Sequence, residues 1–254
     1  MIEVIDFHKT YRDLVAVEGL SFKVQPGEIM GMVGPNGAGK TTTLRSLCGI
    51  IPPTRGQLFA AGFDVVEQPV EAKRILAYIP DDPKLFDTLT VWEHLEFVAA
   101  AYRLQDFSEY GEALLKQFEL WDKRSTFANE LSRGMRQKVA ICCAYLHDPK
   151  VLVLDEPLTG LDPRGIRQMK DSIIQRAQSG AAIVISSHLL NLVEDICTHL
   201  LMMNRVSLLF GRIDEVMEKF SNLDRRSSLE DIFFQVTDIS AAGQSASSDT
   251  EDNK

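Results

Sequence analysis

Nine consecutive residues, GPNGAGKTT, gather the groups that phosphate oxygens require: Gly34, Pro35, Asn36, Gly37, Ala38, Gly39, Lys40, Thr41 and Thr42. Glycines let a loop turn its N–H groups toward one point and approach an anion with no Cβ in the way. A helix opening at Lys40 aims its positive end at the same anion. In a loop of this spacing the lysine reaches the outer phosphates and the first threonine hydroxyl ligates Mg²⁺. The expected ligand is therefore a nucleoside triphosphate with its magnesium ion.

Hydrolysing such a ligand takes a metal shell and an attacking water. VLVLDEP, from Val151, ends an apolar run in two acids. Asp155 suits the Mg²⁺ shell, and Glu156 suits polarising a water for in-line attack on the γ-phosphate. His188 ends a second apolar run, ISSH, and is expected to contact the γ-phosphate. Tyr11 lies in a turn, where its ring either stacks on adenine or packs against the fold. Stacking by itself separates ATP poorly from GTP, since every base has a π-face. The remaining histidines read as structural or solvated.

A second anion-binding pattern, LSRGMRQKVA, begins at Leu131. It puts Ser132 and Gly134 at a helix start, close to Arg133, Arg136 and Lys138. A chain that already has one phosphate loop has no obvious use for another.

The elements around these residues follow from periodicity. EIMGMVG, VLVLDEP and AAIVISSH are short apolar runs that lead into the polar residues above. Such runs, alternating with helical patterns, indicate a parallel sheet covered on both faces. The N-terminal MIEVIDFHKTY and LSFKV read as strands, as does ILAYIP. KTTTLRSLCG reads as a helix closed by Gly49. Between about Asp82 and Pro149 the texture becomes helical, and Thr90 with Glu93 fits a capping box. Core is expected over residues 1–81 and 150–220, with a helical subdomain over 82–149. Residues 221–254 read as a C-terminal extension, with a disordered acidic tail from about 238.

The 254 residues carry a net charge of −9. That leaves no basic footprint for nucleic acid and disfavours unaided docking on anionic lipid. No apolar run reaches the roughly 18 residues a membrane-spanning helix needs. The four cysteines form no CxxC pair and read as reduced thiols.

Taken in order, Tyr11, GPNGAGKTT, LSRGMRQ, VLVLDEP, LTGLD and His188 resemble an ATP-binding cassette (ABC) ATPase domain over about residues 1–220. The resemblance implies an α/β P-loop NTPase with a RecA-like core, an N-terminal antiparallel β subdomain and a helical insertion. It also gives the second anion pattern a purpose. Two cassettes, identical or paralogous, would pack head to tail, so that Ser132, Arg133, Gly134 and Met135 address the ATP on the partner's P-loop. Asp162, in LTGLD, matches the D-loop near that seam. The function implied is a Mg²⁺-dependent ATPase that powers a separate integral membrane permease. The chain would then sit on the inner face of the cell membrane through that permease, with the docking surface near Asp81 and in FDTLTVWEHLEF.

Some wording departs from the family pattern. Arg133 and Met135 replace the glycine and glutamine of the usual LSGGQ. The arginine either adds charge near the partner's nucleotide or points to solvent. Asp81 replaces a glutamine and cannot donate a hydrogen bond when ionised, but it can still face the metal. Arg205 follows Asn204 where glycine is frequent, which changes a hairpin turn. The wording around YIPDDP is similar to Ecs-type and other exporter-like ATPases. A soluble ABC ATPase that remodels a protein partner, as in iron–sulfur assembly, is the alternative.

Overall fold

The chain opens on a long hairpin, because Ile2, Val4 and Phe7 are buried on one side and Leu20, Phe22 and Val24 answer them across the pair. This pairs β1 (Ile2–Tyr11) with β2 (Leu14–Val24). There follow β3 (Ile29–Val33), α1 (Lys40–Leu47), β4 (Arg55–Ala60), β5 (Phe63–Asp64), α2 (Pro69–Ile75) and β6 (Leu76–Ile79). Three helices come next: α3 (Val91–Tyr102), α4 (Ser108–Gln117) and α5 (Arg133–Tyr145). The chain then returns to β7 (Val151–Asp155), α6 (Pro163–Gln178), β8 (Ala182–Ser186), α7 (Leu190–Ile196), β9 (His199–Asn204), β10 (Val206–Arg212) and α8 (Ile213–Phe220). This computed structural model describes residues 1–220 and 228–237.

Among the described residues the strands form two sheets. One is antiparallel, in the order β2-β1-β4-β5. The other runs β10-β9-β3-β8-β7-β6 and is parallel except at the β9–β10 hairpin. The continuous apolar runs resolve into two faces, as the pleat requires. Met30, Met32, Val151, Val153 and Val184 join Leu44 and Leu47 of α1 and the antiparallel sheet in one core. Ile29, Val33, Leu152, Leu154, Ile183 and Ile185 face a second core built with the helices. With both faces covered, nearly every residue of β3, β7 and β8 must be apolar.

The first helix after β6, α3, starts at Val91. Thr90 accepts from the Glu93 N–H, and the Glu93 carboxylate accepts from the Thr90 N–H, so both halves of the capping box form. The four cysteines are free, and burial pushes the Cys143 and Cys197 thiols up to about 12. No helix among the described residues is long and apolar enough to cross a membrane. A further helix covers residues 229–237, and its Leu229 and Ile232 are fully buried in the helical-side core. The acidic tail expected from about 238 lies outside the described residues.

Ile183 sits on the central strand β8 with no exposed surface. Ile183→Ala is expected to cost about 2–5 kcal/mol, from lost burial plus a residual cavity. Urea unfolding measures this, and a cost below about 1 kcal/mol would contradict the two-faced burial of the strand.

Candidate active site

The GPNGAGKTT loop joins the C-terminal end of β3 to the start of α1. It needs its glycines for two different reasons. A Cβ on Gly34 would lie 2.2 Å from the Met203 carbonyl oxygen on β9, so this position is set by close backbone approach. Gly37 and Gly39 have φ of 80° and 97°, in the left-handed region that side chains disfavour. Arg205, at φ 64°, turns the β9–β10 hairpin. Its N–H donates to the Ala38 carbonyl at 2.8 Å, and its carbonyl accepts from the Glu18 N–H at 2.8 Å. The hairpin therefore clamps the loop from outside.

Lys40 donates to the carbonyls of Gly34 at 2.6 Å and Pro35 at 3.1 Å, which folds its ammonium back over the loop. Burial lowers its pKa, while Glu156 and Asp155 work in the opposite direction. A cavity of about 420 Å³ opens here, lined by Tyr11, Asn36, Gly37, Lys40, Asp155 and Arg205 among others. Thr41, Thr42 and Glu156 border it too. Tyr11 stands at its edge, half exposed, with the Lys9 ammonium 4.9 Å from its ring centroid.

Asp155 ends β7 almost fully buried. Its Oδ1 accepts from Ser186 Oγ at 2.5 Å and from Thr41 Oγ1 at 3.3 Å, and its Oδ2 accepts from the Tyr78 hydroxyl at 3.3 Å. Three hydroxyls, from β8, α1 and β6, thus answer one buried carboxylate. Burial, reinforced by Asp155, pushes the Tyr78 phenol up to about 12, so it stays a donor. An oxygen-only set of one carboxylate and one threonine hydroxyl suits a hard cation that keeps waters and phosphate oxygens as its other ligands.

Glu156 follows at φ 48°, a strained conformation for a residue with a side chain. Its N–H donates to the Ser186 carbonyl at 3.1 Å and lies 3.2 Å from Ser186 Oγ. That anchorage holds the chain in the left-handed turn and sends the Glu156 carboxylate to the cavity. Glu156 Oε2 lies 2.7 Å from His188 Nδ1, and the His188 N–H also points to it at 3.4 Å. The two residues that end neighbouring strands therefore meet as a pair, with the imidazole facing solvent.

The second anion pattern is elsewhere. None of Ser132, Arg133, Gly134 or Met135 lines the cavity that contains Lys40. Ser132 caps α5, its Oγ accepting from the Met135 N–H at 3.3 Å. A Cβ on Gly134 would lie 2.5 Å from the Gly160 carbonyl oxygen, so α5 starts directly against the LTGLD turn. Asp162 caps α6 by accepting from the Gly165 N–H at 3.1 Å. Arg133 does not run free into solvent: it pairs with Asp81 Oδ1 at 3.2 Å. Asp81 likewise does not line the cavity of Thr41 and Asp155.

A family model described as ABC transporter matches residues 17–159. The chain belongs to the ABC transporter family. EcsA of Bacillus subtilis, an ABC-type transporter ATP-binding protein, is 32% identical over 93% of this chain and 96% of its own. NatA of the same organism, an ABC transporter ATP-binding protein, is 33% identical over 92% of this chain and 96% of its own. A solved ATP-binding subunit of an ABC transporter superposes with a TM-score of 0.88 at 33% identity, covering 93% of this chain and 99% of that one. The chain is an ABC transporter's ATP-binding subunit, an ATPase that energises transport. The motifs mark the residues that end strands and loops. Nothing local marks Ser186 or Tyr78, although both stand in those motifs and each offers a hydroxyl near the end of a strand flanking β7. Arg205, a hairpin residue in the sequence, becomes a wall of the cavity only in the fold.

Lys40→Ala is expected to abolish binding of a fluorescent ATP analogue. Gly34→Ala, which forces a methyl against the Met203 carbonyl, is expected to weaken that binding and to cost about 1–3 kcal/mol in denaturant unfolding. A Gly34→Ala protein with native affinity and stability would refute the close approach as the reason for this glycine.

Proposed function

We propose that two such cassettes, this chain with itself or with a paralogue, close head to tail on ATP and so drive a separate membrane permease. The observation that carries this reading is the separation of the two anion-binding halves. Lys40, Thr41 and Asp155 share one cavity, while the Ser132 end of α5 stands outside it. Each half is incomplete alone, and a partner's ATP supplies what the Ser132 end lacks. A cassette of the same fold has been solved as a dimer after hydrolysis, with ADP and Pi bound, which supports the arrangement.

Within each half the triphosphate lies along the GPNGAGKTT loop, with backbone N–H groups and Lys40 on its outer phosphates. The adenine rests on Tyr11. Thr41 and Asp155 would hold Mg²⁺, which neutralises phosphate charge when bound. Glu156 accepts a proton from a water aligned with the γ-phosphorus. The water oxygen bonds to phosphorus as the bond to the β–γ bridging oxygen breaks, leaving ADP and inorganic phosphate. His188 orients Glu156 by donating from its Nδ1 and meets the γ-phosphate through its other ring nitrogen when that nitrogen also carries a proton. Ser132 and the α5 N-terminus donate to the same group on the partner's ATP, an interaction ADP cannot make.

The permease surface is an apolar groove of about 450 Å³, lined by Tyr78, Pro80, Leu85, Phe86, Phe97 and Val98 among others. Phe86 and Phe97 are each 53% exposed and pack edge to face at 5.1 Å, an apolar cost in water that a docked helix removes. This favours a peripheral position on the inner face of the membrane. The wording around Asp81 leans toward export.

Glu156→Gln is expected to keep ATP binding while losing about 3–5 kcal/mol of transition-state stabilisation. With ATP and Mg²⁺ it should run as a dimer in light scattering, and an ATP-loaded monomer would sink the head-to-tail reading. Ser132→Ala should lower hydrolysis while the chain's own P-loop still binds nucleotide. Phe86→Asp with Phe97→Asp should release the chain from a co-purifying polytopic membrane protein.

A further inference from the structure

Asp81 and Arg133 both depart from the wording this chain otherwise resembles, and they meet each other. Arg133 Nη2 lies 3.2 Å from Asp81 Oδ1. Lys84, which pairs with Asp82, does most to lower that neighbouring carboxyl's pKa, and Arg133 and Arg136 add to it, so Arg133 faces both acids of the loop. The stem of Arg133 lies over Gly160: a Cβ there would meet Arg133 Cδ at 3.2 Å and Cγ at 3.3 Å. One side chain thus touches two loops. The Asp81 loop follows β6, the Gly160 turn follows β7, and these two strands are parallel neighbours. One turn further along α5, the buried Gln137 amide bridges the same two segments, its Nε2 lying 3.5 Å from both the Pro80 and the Pro157 carbonyls. The Asp81 loop also borders the apolar groove, through Pro80, Pro83 and Lys84.

We propose that Arg133 is a positioning residue that ties the Asp81 loop to the Ser132 end of α5 through the Asp81 carboxylate. Helix α5 itself lines the groove through Ala140, Cys143 and Ala144, and the ion pair adds the Asp81 loop to that body, so that the loop and the Ser132 end would move together. In this chain the two departures compensate each other. Aspartate at position 81 puts a second negative charge beside Asp82, and an arginine at position 133 supplies a countercharge within reach. Gln137 forms the fixed, buried part of the same tie. The ion pair is its adjustable part, because the two side chains are 51% and 47% exposed. This inference rests on the head-to-tail reading above, since it concerns how the Ser132 end is aimed.

The test is a double-mutant cycle in the full chain: Asp81→Asn, Arg133→Gln and both together, with kcat and KM for ATP measured for each. An exposed ion pair carries a modest coupling, so each single variant is expected to lower kcat about 2- to 5-fold with little change in KM. The double variant should lose no more than the poorer single. Raising salt from about 0.05 to 0.5 M, which shortens the Debye length several-fold, should lower kcat of the parent more than that of Arg133→Gln, so that the two converge. Thermal midpoints check that every variant is folded. The same cycle in the Glu156→Gln protein, read as the ATP concentration that half-dimerises it, gives a second measurement independent of turnover. Losses that multiply in the double variant, or singles indistinguishable from the parent in both measurements, would overturn the proposal. A Glu156→Gln protein that dimerises normally in that case would leave the head-to-tail reading standing and remove only this coupling.

Discussion

A buried carboxylate has to be answered, and in this molecule the answer organises the cavity beneath the GPNGAGKTT loop. Asp155 sits almost without exposure at the end of β7, where an unsatisfied charge would be prohibitively costly. Hydroxyls from Tyr78 on β6, Ser186 on β8 and Thr41 on α1 converge on its two oxygens. Those contacts demand that β6, β7 and β8 keep their register and that α1 begin over their C-terminal ends. The same register puts Glu156 beside Ser186, which holds it in a conformation it would not choose alone. It also brings His188 to within hydrogen-bond distance of the Glu156 carboxylate. Catalytic geometry and carboxylate satisfaction are one constraint seen from two sides.

The phosphate loop meets a second demand, for close backbone approach. Gly34 lets the loop rest on the β9 carbonyl of Met203, and Arg205 ties Ala38 to the hairpin and, through Glu18, to β2. The loop is thus preorganised before any anion arrives, so less ordering has to accompany binding. Lys40 braces the loop as well, donating to the Gly34 and Pro35 carbonyls.

The N-terminal end of α5 is preorganised differently. Its Ser132 hydroxyl is used as a helix cap, and Gly134 and Arg133 press it against the Gly160 turn. It is fixed with respect to the D-loop segment but contributes nothing to the cavity of its own chain. In the head-to-tail arrangement proposed above, this surface would address a neighbour's ATP, and ATP would thereby gain leverage over assembly.

The short-range signals were legible in the sequence because their physics is local. The glycine spacing around Lys40, the Thr90–Glu93 capping box and the apolar runs of β3, β7 and β8 each depend on residues a few positions apart. Which face each residue of those runs covers was not legible, since strands buried on both sides show no alternation. Nor were the partners of Asp155, which come from residues 77, 114 and 31 positions away. Arg133 shows the difference most plainly. Its sequence position left open whether it meets a nucleotide or water, and packing gave it Asp81, 52 positions away, together with the Gly160 turn. By itself the sequence determined that phosphate would be bound and where the acids would stand, because those choices are made by neighbouring residues. Only the tertiary structure decided which hydroxyls satisfy the buried acid and which loop the arginine ties, because distant segments become neighbours only when the sheet closes their separation.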